Sequence, residues 1–125
     1  MNKYLDLFGR ILLSVMFLLS GFNKIGDYAL VQGFMASQGV PGILLPLVIA
    51  LEIVGPLLII VGWHTRLTAS ALAGFSVLAA ILFHLNFSDQ TQMIMFMKNL
   101  TIAGGFLVLM AHGPGEISLD FRRKK

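Results

Sequence analysis

The run "VPGILLPLVIALEIVGPLLIIVGW", residues 40–63, holds twenty-four residues and a single charge, Glu52. A membrane-spanning helix needs about 20 apolar residues, so this stretch sets the environment as a lipid bilayer. With about 1.5 Å of rise per residue, a helix beginning near Pro41 carries Glu52 roughly 16 Å deep, close to the middle of the hydrocarbon. A lone ionised side chain there costs about 3 kcal/mol or more, so Glu52 is expected to face the interior of a bundle. Pro56, four residues on, has no N–H to give the carbonyl of Glu52, which predicts a kink and a free acceptor beside the carboxyl group.

Three further apolar segments flank this one, at residues 4–22, 67–85 and 93–111. The whole chain is 57% hydrophobic and 12% charged, with a mean hydropathy of +0.85. In the first segment Asp6 and Arg10 leave only residues 11–22 free of charge, a length that also suits the core of a signal peptide. No Ala-x-Ala cleavage site follows it, so it reads as a spanning helix. Asp6 and Arg10 stand four residues apart and are expected to pair with each other. Strict alternation is absent, and buried backbone must be satisfied within its own segment, so helices are favoured over a barrel. The expected fold is all-α: one domain over residues 1–125, an integral membrane four-helix antiparallel bundle with a tail at 112–125.

Basic residues orient the bundle. Lys3, Arg10, Arg66, Arg122, Arg123, Lys124 and Lys125 fall on one side, and only Lys24 and Lys98 approach the other. The positive-inside rule then puts both N and C termini in the cytoplasm. The net charge of +3 is accounted for by orientation, with no nucleic acid as partner, and the basic tail can hold anionic lipid at about 1 kcal/mol per charge. Cysteine is absent, which removes disulfides, thiol redox pairs and iron–sulfur clusters, so redox chemistry would require a bound cofactor. His64, His84 and His112 show no metal-ligand spacing, and no metal is expected.

The segment after the first span places Leu30, Val31, Phe34 and Met35 at helical spacing, followed by Gly39 and Pro41 as stop signals. A short amphipathic helix in this first outer loop follows. Its simplest role is to lie on the membrane surface; its functional role would be a lid over an outward-facing cavity. "GWHTR", residues 62–66, is a tight connection that makes the second and third spans antiparallel neighbours. Small-xxx-small pairs, Ser70 with Gly74 and Ser76 with Ala80, favour close helix approach, within one chain or between copies in a homo-oligomer.

Polar groups from every span gather in the outer half. Lys98 lies about 7–8 Å in from the start of the last span, and its stem can snorkel outward or turn inward to compensate Glu52. His84 and Asn86 close the third span there, Asn23 and Lys24 the first, and Asn99 follows Lys98. Intramembrane ionisable groups are functional candidates by default. The candidate ligand-binding set is Lys24, Glu52, His84, Lys98 and Asn99.

Three motifs, "GFNKIGDY" at 21–28, "EIVGPLLIIVGWHTR" at 52–66 and "MFMKNLTIAGGFLVLMAHGPGEISLD" at 95–120, give the chain a resemblance to the DoxX family that runs from end to end. The resemblance implies a four-helix bacterial inner-membrane protein. It points to Gly21, Lys24, Glu52, Gly62, Arg66, Lys98, Asn99, Gly113, Gly115 and Asp120. The family takes its name from a subunit associated with a terminal quinol oxidase, and a related DoxD-type subunit belongs to a thiosulfate:quinone oxidoreductase. Thiosulfate chemistry is not carried over to this chain, and whether it is an enzyme is left open.

A quinone offers two carbonyl oxygens that call for donors, and its chemistry calls for a proton acceptor nearby. Lys98, His84 and Asn99 supply donors and Glu52 the acceptor, so the first expectation is a quinone-interacting accessory module among the subunits of a redox complex. The alternative is a non-catalytic carrier or scaffold for a lipid or small amphiphile, with Phe34, Met35, Met93, Met95, Phe96 and Met97 as an adaptable lining. A proton-coupled transporter built on Glu52 and Lys98 is a third reading, weakened by the lack of an inverted repeat.

Overall fold

A computed structural model describes residues 3–83 and 87–123. Its helices are α1 (Lys3–Gly26), α2 (Tyr28–Ser37), α3 (Leu45–Val61), α4 (Thr65–Phe83), α5 (Gln90–His112) and the short α6 (Leu119–Arg123), with a 3₁₀ turn, Gly42–Leu44, leading into α3. Four spans, α1, α3 with its leading turn, α4 and α5, are long and apolar enough to cross a membrane. The sequence-based limits hold to within a few residues. The widest differences are at the loop end of α1, which continues to Gly26, and at the start of α3, which begins at Leu45 behind the 3₁₀ turn.

Local chemistry sets the ends. Asp89 caps α5 by accepting from the Thr91 amide at 2.9 Å, satisfying one of the orphan donors of a helix start. Pro46 sits in the first turn of α3, where its missing N–H costs nothing. α3 closes on Gly62 at φ +74°, whose amide donates to Leu58 and Ile59 carbonyls, a left-handed terminus that favours glycine. α3 runs on through Pro56 as one helix, with Gly55 against Leu72 of α4.

α1 packs on α3 and α4 on α5, while the Gly62–His64 turn joins α3 to α4. The seam between α1 and α5 is more loosely packed than the α1–α3, α3–α4 and α4–α5 seams. Phe17 of α1 holds the core, its ring 6.3 Å from Phe75 of α4 and 5.6 Å from Phe106 of α5; Ile59, Ala69, Leu72, Ala73 and Ala103 complete it. The bundle thus has a terminal end, where α1 begins and α5 finishes, and a loop end, where α2 sits.

Ser76 and Ala80 face the interior, whereas Ser70 and Gly74 are exposed. Only one of the two small-residue pairs on α4 therefore serves packing within this chain.

The expected Asp6–Arg10 pair is not formed: among the described residues the one ion pair is Lys24–Glu52. Arg10 is fully buried and turns instead to the carbonyls of Ile59 (3.0 Å) and Ile60 (2.9 Å), with a further bond to Ile117. The last turn of α3 leaves carbonyls without intrahelical partners, and a guanidinium with five donors can serve several at once.

Candidate ligand-binding cavity

Lys24 lies two residues before the end of α1, yet its ammonium does not reach for the loop end. Side chains on a helix tilt toward its N-terminus, so the Lys24 stem runs back into the bundle and donates to Ser20 Oγ at 2.7 Å. Glu52, on the antiparallel α3, tilts the opposite way and meets it. Nζ stands 2.7 Å from Oε1 and 3.1 Å from Oε2, the latter with hydrogen-bond geometry. Glu52 is buried to 2% exposure and Lys24 to 24%. A Cβ on Gly21 would stand 2.8 Å from Ile53 and 3.3 Å from Glu52, so glycine there lets α1 and α3 come close enough for the pair.

The pair forms part of the wall of a cavity of about 270 Å³ at the loop end of the core. α1 contributes Met16, Phe17 and Ser20 beside Lys24, α3 Val48 beside Glu52, and α4 Phe75, Ala79 and Phe83. From α5 come Met95, Lys98, Asn99 and Ile102, which share one face by their spacing of three and four residues. The wall is mostly apolar, with Ser20, Asn99 and three charged groups converging on it, the composition of a small-molecule site.

Four of the five sequence candidates, Lys24, Glu52, Lys98 and Asn99, therefore line one space. His84, with Asn86, lies outside the described residues. Lys98 does not compensate Glu52, since that role belongs to Lys24. Lys98 makes no ion pair or hydrogen bond among the described residues, and the Glu52–Lys98 site required by the transporter reading is not formed. Of the expected apolar lining, Phe34, Met35 and Met95 are present, while Met93, Phe96 and Met97 are not part of this wall.

α2 closes the loop end over this space. Val31, Phe34 and Met35 face the cavity, Met35 is buried, and Leu30 on the opposite side is 75% exposed. The Phe34 ring lies 5.6 Å from that of Phe83. Gln32 Nε2 donates to the Gly42 carbonyl at 3.3 Å, crossing a position where any Cβ would stand 2.4 Å from the Gln32 stem. α2 thus lies over the cavity with Leu30 on its opposite, exposed side.

At the terminal end a broader groove of about 1210 Å³ runs between α1 and α5. Its upper rim is a tail that folds back on the bundle. Asp120 accepts from the His64 amide through Oδ1 and from the Thr65 amide through Oδ2, both at 2.8 Å, capping α4 from a distant part of the chain. Its own amide donates to the Gly62 carbonyl at 2.8 Å. Burial pushes the Asp120 carboxyl up, but the Thr65 and His64 hydrogen bonds outweigh it and hold the group below its ordinary value. Sequence reading marked Asp120 without a role and missed this cap and the Arg10 anchor.

The DoxX family model matches residues 5–85. This chain belongs to the DoxX family. It is 52% identical over 114 residues to the inner membrane protein YqjF of Escherichia coli (strain K12), covering 91% of this chain and 88% of that protein. With the inner membrane protein YphA of the same organism it shares 36% identity over 124 residues, 93% of this chain and 88% of that protein. No solved structure matches it. Like these relatives it is a multi-pass inner-membrane protein. The DoxX motif residues divide between the two ends: Lys24, Glu52, Lys98 and Asn99 line the cavity, while Arg66, Gly113, Gly115 and Asp120 line the terminal groove.

Proposed function

We propose that this DoxX-family protein binds the head of a membrane-dissolved quinone in the loop-end cavity and serves as an accessory module among the subunits of a membrane redox system. The observation that carries this is the pairing of Glu52 with Lys24, which leaves Lys98 and Asn99 on the facing wall with donors to give. Phe17, Phe75 and Phe83 supply flat apolar surface against which a ring can stack. The space is near the lower limit of about 300 Å³ for small-molecule pockets, enough for a head without its chain.

A quinone would supply reversible uptake of electrons and protons. The chain's own contribution is to bind and orient. The Lys98 ammonium and the Asn99 amide donate to ring oxygens, and Lys24, itself donating to Ser20, holds the Glu52 carboxylate in position to exchange a proton at Oε1 or Oε2. The apolar wall keeps bulk water from these atoms.

A carrier of small amphiphiles is the second reading, favoured by the adaptable wall of Met16, Met35 and Met95 and by a free cation at Lys98 suited to an anionic head.

The test is to purify the protein from native membranes in mild detergent and identify the co-purifying molecules by mass spectrometry, with Lys98→Ala and Glu52→Gln alongside. A quinone present in the unaltered protein and lost from both variants supports the redox module. A phospholipid or fatty acid retained in its place supports the carrier. Equal content in all three overturns a site at these residues.

A further inference from the structure

Among the described residues α2 lies across the loop end of the cavity, while at one side the cavity lining reaches the outer surface of the bundle, and that side points to the ligand class. Toward the loops, α2 lies across it, pinned by the Gln32–Gly42 bond and by the Phe34–Phe83 ring contact. Toward the terminal end, the Phe17–Phe106 ring pair blocks it. α3 and α4 are joined by a tight turn and close the back with Val48, Phe75 and Ala79, all partly covered.

The remaining side is the seam of α1 and α5, which is more loosely packed than the α1–α3, α3–α4 and α4–α5 seams. There the lining residues are themselves on the outer surface: Met16 of α1 and Met95 of α5 each line the cavity and are each 39% exposed. Lys98, one turn along α5 from Met95, is exposed at the same rim. In a spanning bundle this surface faces hydrocarbon rather than water. Methionine suits such a position because its unbranched thioether moves aside without loss of packing.

We infer that the site is loaded sideways from the bilayer between Met16 and Met95, and that its ligand class is a membrane-dissolved molecule with a compact acceptor-bearing head and an apolar chain. A space of about 270 Å³ takes the head alone. The chain stays outside in the α1–α5 seam, and Lys98 at the rim meets the polar atoms as they pass. The inference rests on the binding reading above, and extends it to the route and to the tail.

The absence of cysteine makes the test direct. Met16→Cys with Met95→Cys, and separately Gln32→Cys with Gly42→Cys, the lid pair outside the cavity wall, are made in the full chain, reconstituted in phosphatidylcholine vesicles, and bridged with a bifunctional maleimide. Uptake of decylubiquinone is then followed by mass spectrometry of the re-isolated protein, with each unbridged variant as its own reference.

Bridging Met16 to Met95 is expected to slow uptake by about tenfold or more, and bridging after loading to slow release likewise, because access governs both rates. Bridging the lid residues is expected to leave uptake within about twofold of the unbridged protein. Uptake blocked by the lid bridge and not by the seam bridge overturns sideways loading, as does failure of the two seam cysteines to bridge. Unaltered protein that takes up no decylubiquinone overturns the quinone reading instead, and uptake of a fatty acid blocked by the seam bridge then still supports the route.

Discussion

Lys24 and Glu52 stand on antiparallel helices with the ammonium nitrogen between both carboxylate oxygens, at 2.7 and 3.1 Å. Removing one partner of a buried pair leaves the other uncompensated, at a cost of about 3–5 kcal/mol, whereas replacing both can be close to neutral. Lys24→Met is therefore expected to lower the melting temperature in detergent far more than Lys24→Met combined with Glu52→Gln. Single and double variants that melt alike would show that the pair is not coupled.

Lys98 offers the opposite case. It is exposed at the cavity rim and has no partner among the described residues. Lys98→Ala should thus change stability by no more than about 0.5 kcal/mol, while emptying the cavity of a bound quinone. Thermal melting and ligand content measured on the same preparation separate the two roles. A large loss of stability would mean that Lys98 has a structural partner.

The spans and the polar cluster were legible because hydropathy is a local property, and a charge in an apolar run is visible wherever it falls. Which lysine meets Glu52 was not read correctly, although a signal was available. α1 finishes at the loop end and α5 begins there, so the N-terminal tilt of helical side chains sends Lys24 inward and Lys98 outward. Depth alone treats both as equivalent. Arg10 was misassigned for a different reason: the neighbour in sequence, Asp6, is obvious, whereas the carbonyls of Ile59, Ile60 and Ile117 become available only when α3 ends and the tail returns. Orphan backbone groups have no signature in a residue alphabet.

The Arg10 anchor predicts how the tail is held. Arg10 serves the α3 carbonyls through Nη1 and Ile117 through Nη2, a reach that a single ammonium nitrogen lacks, so Arg10→Lys is expected to lose about 2–4 kcal/mol, from bonds worth about 1.5–3 kcal/mol each when the donor is charged. Hydrogen exchange should rise over residues 113–121, where the Asp120 amide is otherwise bonded to the Gly62 carbonyl. Unchanged exchange there in Arg10→Lys would assign the anchoring to Asp120 alone.

Asp120 gives a pH-dependent contribution whose sign is fixed by the direction of its shift. Hydrogen bonds from the Thr65 and His64 amides place its carboxyl below the ordinary value of 3.8 despite burial, so the folded state releases the proton more readily than the unfolded chain. The stabilisation is complete above about pH 4 and fades as pH falls through the lowered folded value. Asp120→Ala removes the cap at all pH values and should cost about 1 kcal/mol near neutrality. Asp120→Asn keeps an acceptor oxygen but carries no charge, so its melting temperature should fall short of the unaltered protein's at pH 7 and converge on it as pH drops below about 4. A gap that stays constant through that range would mean that the carboxylate charge contributes nothing to holding the amino end of α4.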